Sequence, residues 1–157
     1  MKPGTFTQLY IHLVFAVKFK DKVLHDAIRK KVFKYMSGIL TNQKHKSIII
    51  NGVSDHVHIL FGLNPAISIS DTVHNLKRSS SIFINNEKLC KGRFAWQEGY
   101  GAFTYGRRQL DSIYRYIENQ ESHHKKRSFK EEYMKFLGDN DIRYDKQYLF
   151  KFIDNTV

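Results

Sequence analysis

Residues 55–63 read Asp-His-Val-His-Ile-Leu-Phe-Gly-Leu. Side chains alternate across a strand. As a strand, this run puts Val57, Ile59, Phe61 and Leu63 on one face and His56 and His58 together on the other. Two imidazoles placed this way can converge on one ion. A histidine pair at this spacing is also an ordinary surface feature. In favour of a metal site, the odd-numbered residues already supply a full apolar face, so packing does not require the histidines. His12 falls on the non-apolar face of an earlier candidate strand, as a neighbour or a weaker candidate ligand.

The second group lies in residues 109–124, which carry a helical pattern. Leu110, Ile113, Tyr114 and Ile117 form the stripe expected to be buried, and Tyr116 points elsewhere. Gln120 is one turn further on the same face, which Ser112 and His123 extend. A tyrosine off the apolar stripe is commonly a plain surface residue. Beside a metal, Tyr-x3-Gln offers a nucleophile and an amide oxygen able to complete a coordination shell. Tyr114 is the alternative nucleophile, although its position predicts packing.

A phenol with a pKa of about 10 is a poor nucleophile at neutral pH. A cation on the scissile phosphate of a nucleic acid would polarise it for in-line attack. The product is a covalent phosphotyrosine, which conserves the phosphodiester's energy for rejoining. No nucleotide cofactor is then needed, and the sequence has no Gly-x4-Gly-Lys-Ser/Thr loop. Imidazole ligands alone would permit zinc. Phosphodiester chemistry favours Mg2+ or Mn2+.

The elements that must position these groups alternate. Strands are expected over 6–18, from Ile48 to about Val53, over 56–63 and over 99–106. Helices are expected over 24–42, 68–86, 108–124 and 128–137. Asn51-Gly52 is a candidate turn, unless Val53 continues the second strand. This order predicts an α+β chain with a ferredoxin-like antiparallel sheet. Its two crossover helices would cover one face, the other face would stay open for a ligand, and C-terminal helices would carry the tyrosine.

The chain has 157 residues, 26 basic and 15 acidic side chains and a net charge of +11. That length suits one domain, here 1–157 with a core of about 5–137 and an aromatic tail over 138–157. The charge points to a polyanion, nucleic acid before an acidic membrane surface. Candidate strand contacts are Lys18 with Lys20 and Lys22, Lys77 and Arg78, and Arg107 and Arg108. Trp96 and Tyr100 are candidates for stacking on unpaired bases, with packing the stronger expectation for Trp96. The lone Cys90 excludes an intrachain disulfide. With no signal-peptide pattern and no apolar run long enough to span a bilayer, a soluble cytoplasmic protein is expected.

In combination these motifs resemble the small single-tyrosine transposases of the HUH class, the IS200-like and REP-associated kind. The resemblance rests on His12-Leu13-Val14-Phe15, Asp55-His56-Val57-His58-Ile59-Leu60, Leu76-Lys77-Arg78-Ser79-Ser80-Ser81, Trp96-Gln97-Glu98-Gly99-Tyr100 and Tyr116-Ile117-Glu118-Asn119-Gln120-Glu121-x-His123-His124. It implies a homodimer that cuts and rejoins single-stranded DNA at element ends marked by hairpins. His56 and His58 match the metal pair, Tyr116 the nucleophile and Gln120 the third ligand. In the insertion-sequence members, the tyrosine helix of one subunit completes the other subunit's site. Gly106 stands where a hinge for that helix is expected. The alternatives are a domesticated enzyme acting on repeated chromosomal hairpins and a non-catalytic nucleic-acid-binding module.

Overall fold

The computed structural model describes residues 3–18 and 24–152. Lys20 and Lys22 lie outside them. The four strands are β1 (Tyr10–Ala16), β2 (Lys46–Val53), β3 (His56–Gly62) and β4 (Gly101–Tyr105). They form one antiparallel sheet in the order β2-β3-β1-β4, the ferredoxin-like order expected. β1 is flanked on both sides, and each of its seven residues is buried. Asn51 and Gly52 continue β2, and the hairpin turns instead at Ser54-Asp55. Gly52 is required here by close approach, because a Cβ on it would lie 2.3 Å from the His56 carbonyl oxygen.

Two crossover helices, α1 (Asp26–Asn42) and α2 (Ile69–Asn86), pack against one another on the face of Leu13, Phe15, Val57, Ile59 and Phe61. Val32, Met36 and Leu40 of α1 and Val73, Leu76 and Ile84 of α2 are fully or nearly fully buried there. α2 starts as its sequence predicts, with the Ser68 hydroxyl accepting from the Asp71 N–H. α1 ends through Lys44, whose φ of 61° lets the His45 N–H reach the Leu40 carbonyl and turns the chain into β2.

The opposite face was expected to be open, and it is covered. α3 (Leu110–Glu118), α4 (Gln120–His124) and α5 (Phe129–Asp139) lie across it. Ile113 and Ile117 of α3 pack on Leu60 and on Ile48 and Ile49 beside a β-bulge in β2. α5 sets Phe136 against Phe103 and Tyr133 over Gly101, where a Cβ would lie 2.7 Å from the Tyr133 hydroxyl. The tail secures α5 from outside, with Phe150 buried against Phe129 and Tyr133 and Phe152 packing on both rings. The sheet is thus a middle layer, and α5 with the tail gives it the second cover that a ferredoxin-like unit lacks.

The helix expected over 108–124 is broken. A 3-10 turn (Arg107–Gln109) leads into α3, which stops at Asn119 before α4 begins. The cause lies in another element: Asn51 of β2 donates its side-chain N–H groups to the Ile117 and Glu118 carbonyls at 2.9 and 3.0 Å. Those carbonyls are the ones a helix C-terminus leaves without partners. Among the described residues, no helix is long and apolar enough to cross a membrane.

Candidate active site

Alternation in β3 places His56 and His58 on the face under α3–α5, as their spacing predicts, but both are fully buried. The centre of their surroundings is a residue the sequence reading missed. Glu132 of α5 is 1% exposed. Its Oε1 lies 2.8 Å from His58 Nε2, 3.2 Å from His56 Nε2 and 3.3 Å from His124 Nε2. Its Oε2 accepts from the Tyr116 hydroxyl and, at 3.2 Å, from Gln120 Nε2. The Gln120 carbonyl oxygen faces His124 Nε2 at 3.1 Å. Tyr116 and Gln120 therefore meet, despite the helix break, on a shared carboxylate.

A signal for Glu132 was present in the sequence. Phe129, Glu132, Tyr133, Phe136 and Leu137 fall at i, i+3, i+4, i+7 and i+8 of α5, so the carboxylate sits within a core-facing stripe. A charged residue there is rarely buried without partners.

The surroundings hold the site in place. His56 donates from Nδ1 to Asp55 Oδ1 at 2.7 Å, and its ring stacks on Phe129 at 3.8 Å. His12 is not in the cluster; its Nε2 lies 2.8 Å from His58 Nδ1, on the side away from Glu132, and its Nδ1 is 3.3 Å from the Tyr105 hydroxyl. His123 stacks on the Tyr116 ring at 4.5 Å. On the other flank of α4, Arg29 of α1 pairs with Glu121 at 3.0 Å. Tyr114, expected to pack, is exposed, and its neighbour Tyr116 is the tyrosine at the histidines.

Electrostatics follow from burial. Burial and then the facing Glu132 charge push the Tyr116 hydroxyl well above its ordinary pKa. For Glu132, burial would favour the neutral acid, but His58, His124 and His56 prevail and hold it far below the usual carboxylate range. Burial opposes charge on His56, but its hydrogen bonds to Asp55 and Glu132 prevail and lift its pKa to about 9. Burial lowers that of His58 and His12.

The donor set suits a divalent cation. One ligand atom from each of His56, His58, His124 and Glu132 lies within 4.8 Å of all the others, and each residue is buried or nearly so. A cavity of about 560 Å³ opens beside this cluster. It is lined by Tyr116, Glu132, Gln109, Arg127 and Lys135 among others.

The basic candidates divide. Lys77 is committed to the fold: its Nζ donates to the Gln97 and Gly99 carbonyls at 2.8 and 2.6 Å and lies 5.3 Å from the centre of the Phe15 ring. Burial lowers its pKa to about 8. Lys18, Arg78, Arg107 and Arg108 are exposed. Trp96 packs edge-on against Phe15 and Phe94 and donates to the Ser80 hydroxyl, while Tyr100 is exposed. Gly106 has an ordinary φ of −73°, and its N–H is held by Gln109 Oε1 at 3.1 Å.

The model of the family described as "Transposase IS200 like" matches residues 5–120. The chain belongs to this family. The matched segment contains His56, His58, Tyr116 and Gln120, and it ends before His124 and Glu132. The ISDra2 transposase TnpA of Deinococcus radiodurans is 29% identical over 123 residues, which cover 74% of this IS200-like chain and 87% of that protein. A crystal structure of a candidate transposase from Deinococcus radiodurans R1 superposes with a TM-score of 0.60 at 26% identity, covering 76% of this chain and 96% of the other. A REP-associated tyrosine transposase solved bound to a REP hairpin shares the fold, with a TM-score of 0.59 at 9% identity, over 79% of this chain and 74% of that one.

Proposed function

We propose that this IS200-like transposase cuts and rejoins single-stranded DNA at hairpin-marked element ends, through a 5′-phosphotyrosine on Tyr116. The observation that carries the reading is the meeting of the Tyr116 hydroxyl and the His56 and His58 Nε2 atoms on one carboxylate, within one chain. His56 and His58, with Gln120 beside them, would hold Mg2+ or Mn2+. Such an ion supplies a Lewis acid for the scissile phosphate and charge stabilisation for its oxygens.

The chain's own residues do the rest. Tyr116 Oη forms the bond to phosphorus while the bond to the 3′ oxygen breaks. The phenol proton leaves towards Glu132 Oε2, the acceptor it already faces. The departing 3′ oxygen takes up a proton from water, and the reverse reaction rejoins the strand. Burial and the facing Glu132 carboxylate disfavour the phenolate, so the Tyr116 hydroxyl keeps its proton in that hydrogen bond before attack. The cavity beside Tyr116 gives a nucleotide its way in, with Arg127 and Lys135 at hand for phosphates. Lys18, Arg78, Arg107 and Arg108 remain available for the flanking strand; Lys77 does not.

The whole chain works as one unit in this reading, since α5 and the tail close a site that begins on β3. The protein is taken to act in the cytoplasm as a homodimer, in which each chain houses a complete set of groups. Light scattering at micromolar concentration tests the dimer.

Single-stranded DNA carrying the hairpins that flank the gene, labelled on the 3′ side of the cleavage point, is incubated with the protein and Mg2+ or Mn2+. A covalent, labelled protein adduct is expected, absent from Tyr116→Phe and from His58→Ala. An adduct that survives Tyr116→Phe moves the nucleophile elsewhere. No adduct on any flanking hairpin favours a binding module.

A further inference from the structure

We propose that Glu132, carried by α5 beyond the family-matched segment, is itself a ligand of the metal at this site, joining His56 and His58 through Oε1. This rests on the histidine-pair reading above and extends it.

Three observations carry the assignment. First, position: Oε1 lies 3.2 and 2.8 Å from the His56 and His58 Nε2 atoms, with His124 Nε2 also at 3.3 Å. The Gln120 carbonyl oxygen, by contrast, is turned to His124, and its amide nitrogen is the atom facing Glu132. Second, burial: among its described contacts, Glu132 meets three imidazoles, a phenol and an amide, and the charged His56 ring is the cation that matches it in the metal-free protein, a place a metal ion would take. A carboxylate so placed is costly unless a cation is its partner. Its position on α5 belongs to a core-facing stripe that leucine would fill without that cost. Third, ligand chemistry: imidazoles alone are poor ligands for a hard cation, whereas a carboxylate oxygen suits Mg2+ and Mn2+. An anionic ligand also offsets part of the ion's double charge, which two neutral imidazoles and an amide cannot do.

The second carboxylate oxygen then gains a meaning. Held by the ion through Oε1, Glu132 presents Oε2 to the Tyr116 hydroxyl and ties the nucleophile's position to that of the metal. α5 and its aromatic tail are in this view part of the active centre.

The test is Mn2+ binding to the full-length, metal-free protein, followed by calorimetry and by the EPR signal of free Mn2+. The wild type is expected to take up one ion per chain. Glu132→Gln should weaken binding roughly 10-fold or more, while Glu118→Gln, which removes an exposed carboxylate outside the site, should bind as wild type. His58→Ala must lose binding if the histidine pair is the site at all. Glu132→Gln binding with wild-type affinity while His58→Ala fails overturns the Glu132 assignment alone. Wild-type affinity in both variants overturns the histidine-pair reading. Should Glu132→Gln not fold, pulsed EPR on wild-type protein labelled with 13C at its glutamate carboxyls decides. A 13C coupling to bound Mn2+ is expected, and its absence overturns the assignment.

Discussion

Glu132 joins Tyr116 to His58: one carboxylate oxygen accepts the phenol, and the other lies 2.8 Å from the His58 Nε2. The phenol is thereby a structural partner of a buried charge. Tyr116→Phe should lower the stability of the metal-free protein by about 1–3 kcal/mol, the cost of an unsatisfied buried group. Urea denaturation in chelator measures it. An unchanged midpoint would mean that the hydroxyl is not seated on Glu132.

The pH dependence of the metal-free protein follows from His56, whose pKa is lifted to about 9 against an unfolded value of about 6.5. The folded state binds the proton more tightly than the unfolded state does. Its contribution to stability is therefore complete below about pH 6.5 and is lost as the pH rises through about 9. Urea midpoints measured from pH 6.5 to 10 should fall across that window. Asp55→Asn, which removes a partner of the charged ring, should move the fall to lower pH. A midpoint that climbs through this range would contradict the assignment.

Two neighbours in β2 control the site from outside it. Asn51→Ala removes the donor from the last carbonyls of α3 and should cost about 1–3 kcal/mol. Gly52→Ala drives a methyl group into the His56 carbonyl and should cost a similar ~1–3 kcal/mol through strain. Both should reduce adduct formation more than DNA affinity, which gel-shift and adduct assays on the same preparations separate.

The basic residues should separate by salt dependence. Arg107→Ala and Arg108→Ala, if they contact phosphates, should each reduce the slope of log affinity against log salt by roughly 0.7 for a single strand. Lys77→Met should leave that slope unchanged and lower the thermal midpoint, because its ammonium holds the 97–99 segment. Fluorescence anisotropy from 50 to 300 mM salt checks both.

The fold was legible where a local pattern determines it. Alternation in residues 55–63 put the histidines on one face, and the strand and helix order specified the sheet. The misses lie where the determinant is remote. The break at Asn119 depends on Asn51, 68 residues away in sequence. The covered face depends on α5 fitting over Gly101, a relation no window of sequence contains. Glu132 was visible as a charge in an apolar stripe, yet its partners lie 74 and 76 residues earlier. Tyr114 was misplaced because α3 buries a narrow stripe, Ile113 and Ile117, and its remaining flank faces solvent.

The row Tyr105, His12, His58, Glu132 has one further property. Each neutral imidazole carries a single N–H, so the bonds along the row must all run in one sense. When His58 donates from Nε2 to Glu132, its Nδ1 accepts from His12 Nε2, and His12 Nδ1 accepts from the Tyr105 hydroxyl. When His58 Nε2 is taken by a cation, its proton sits on Nδ1 and every bond in the row reverses, leaving Tyr105 as the acceptor. The far side of the sheet's buried face would thus register whether an ion is bound, through the tautomer of His12, which lies on the other side of His58 from Glu132. Nitrogen-15 shifts of His12 read that state directly.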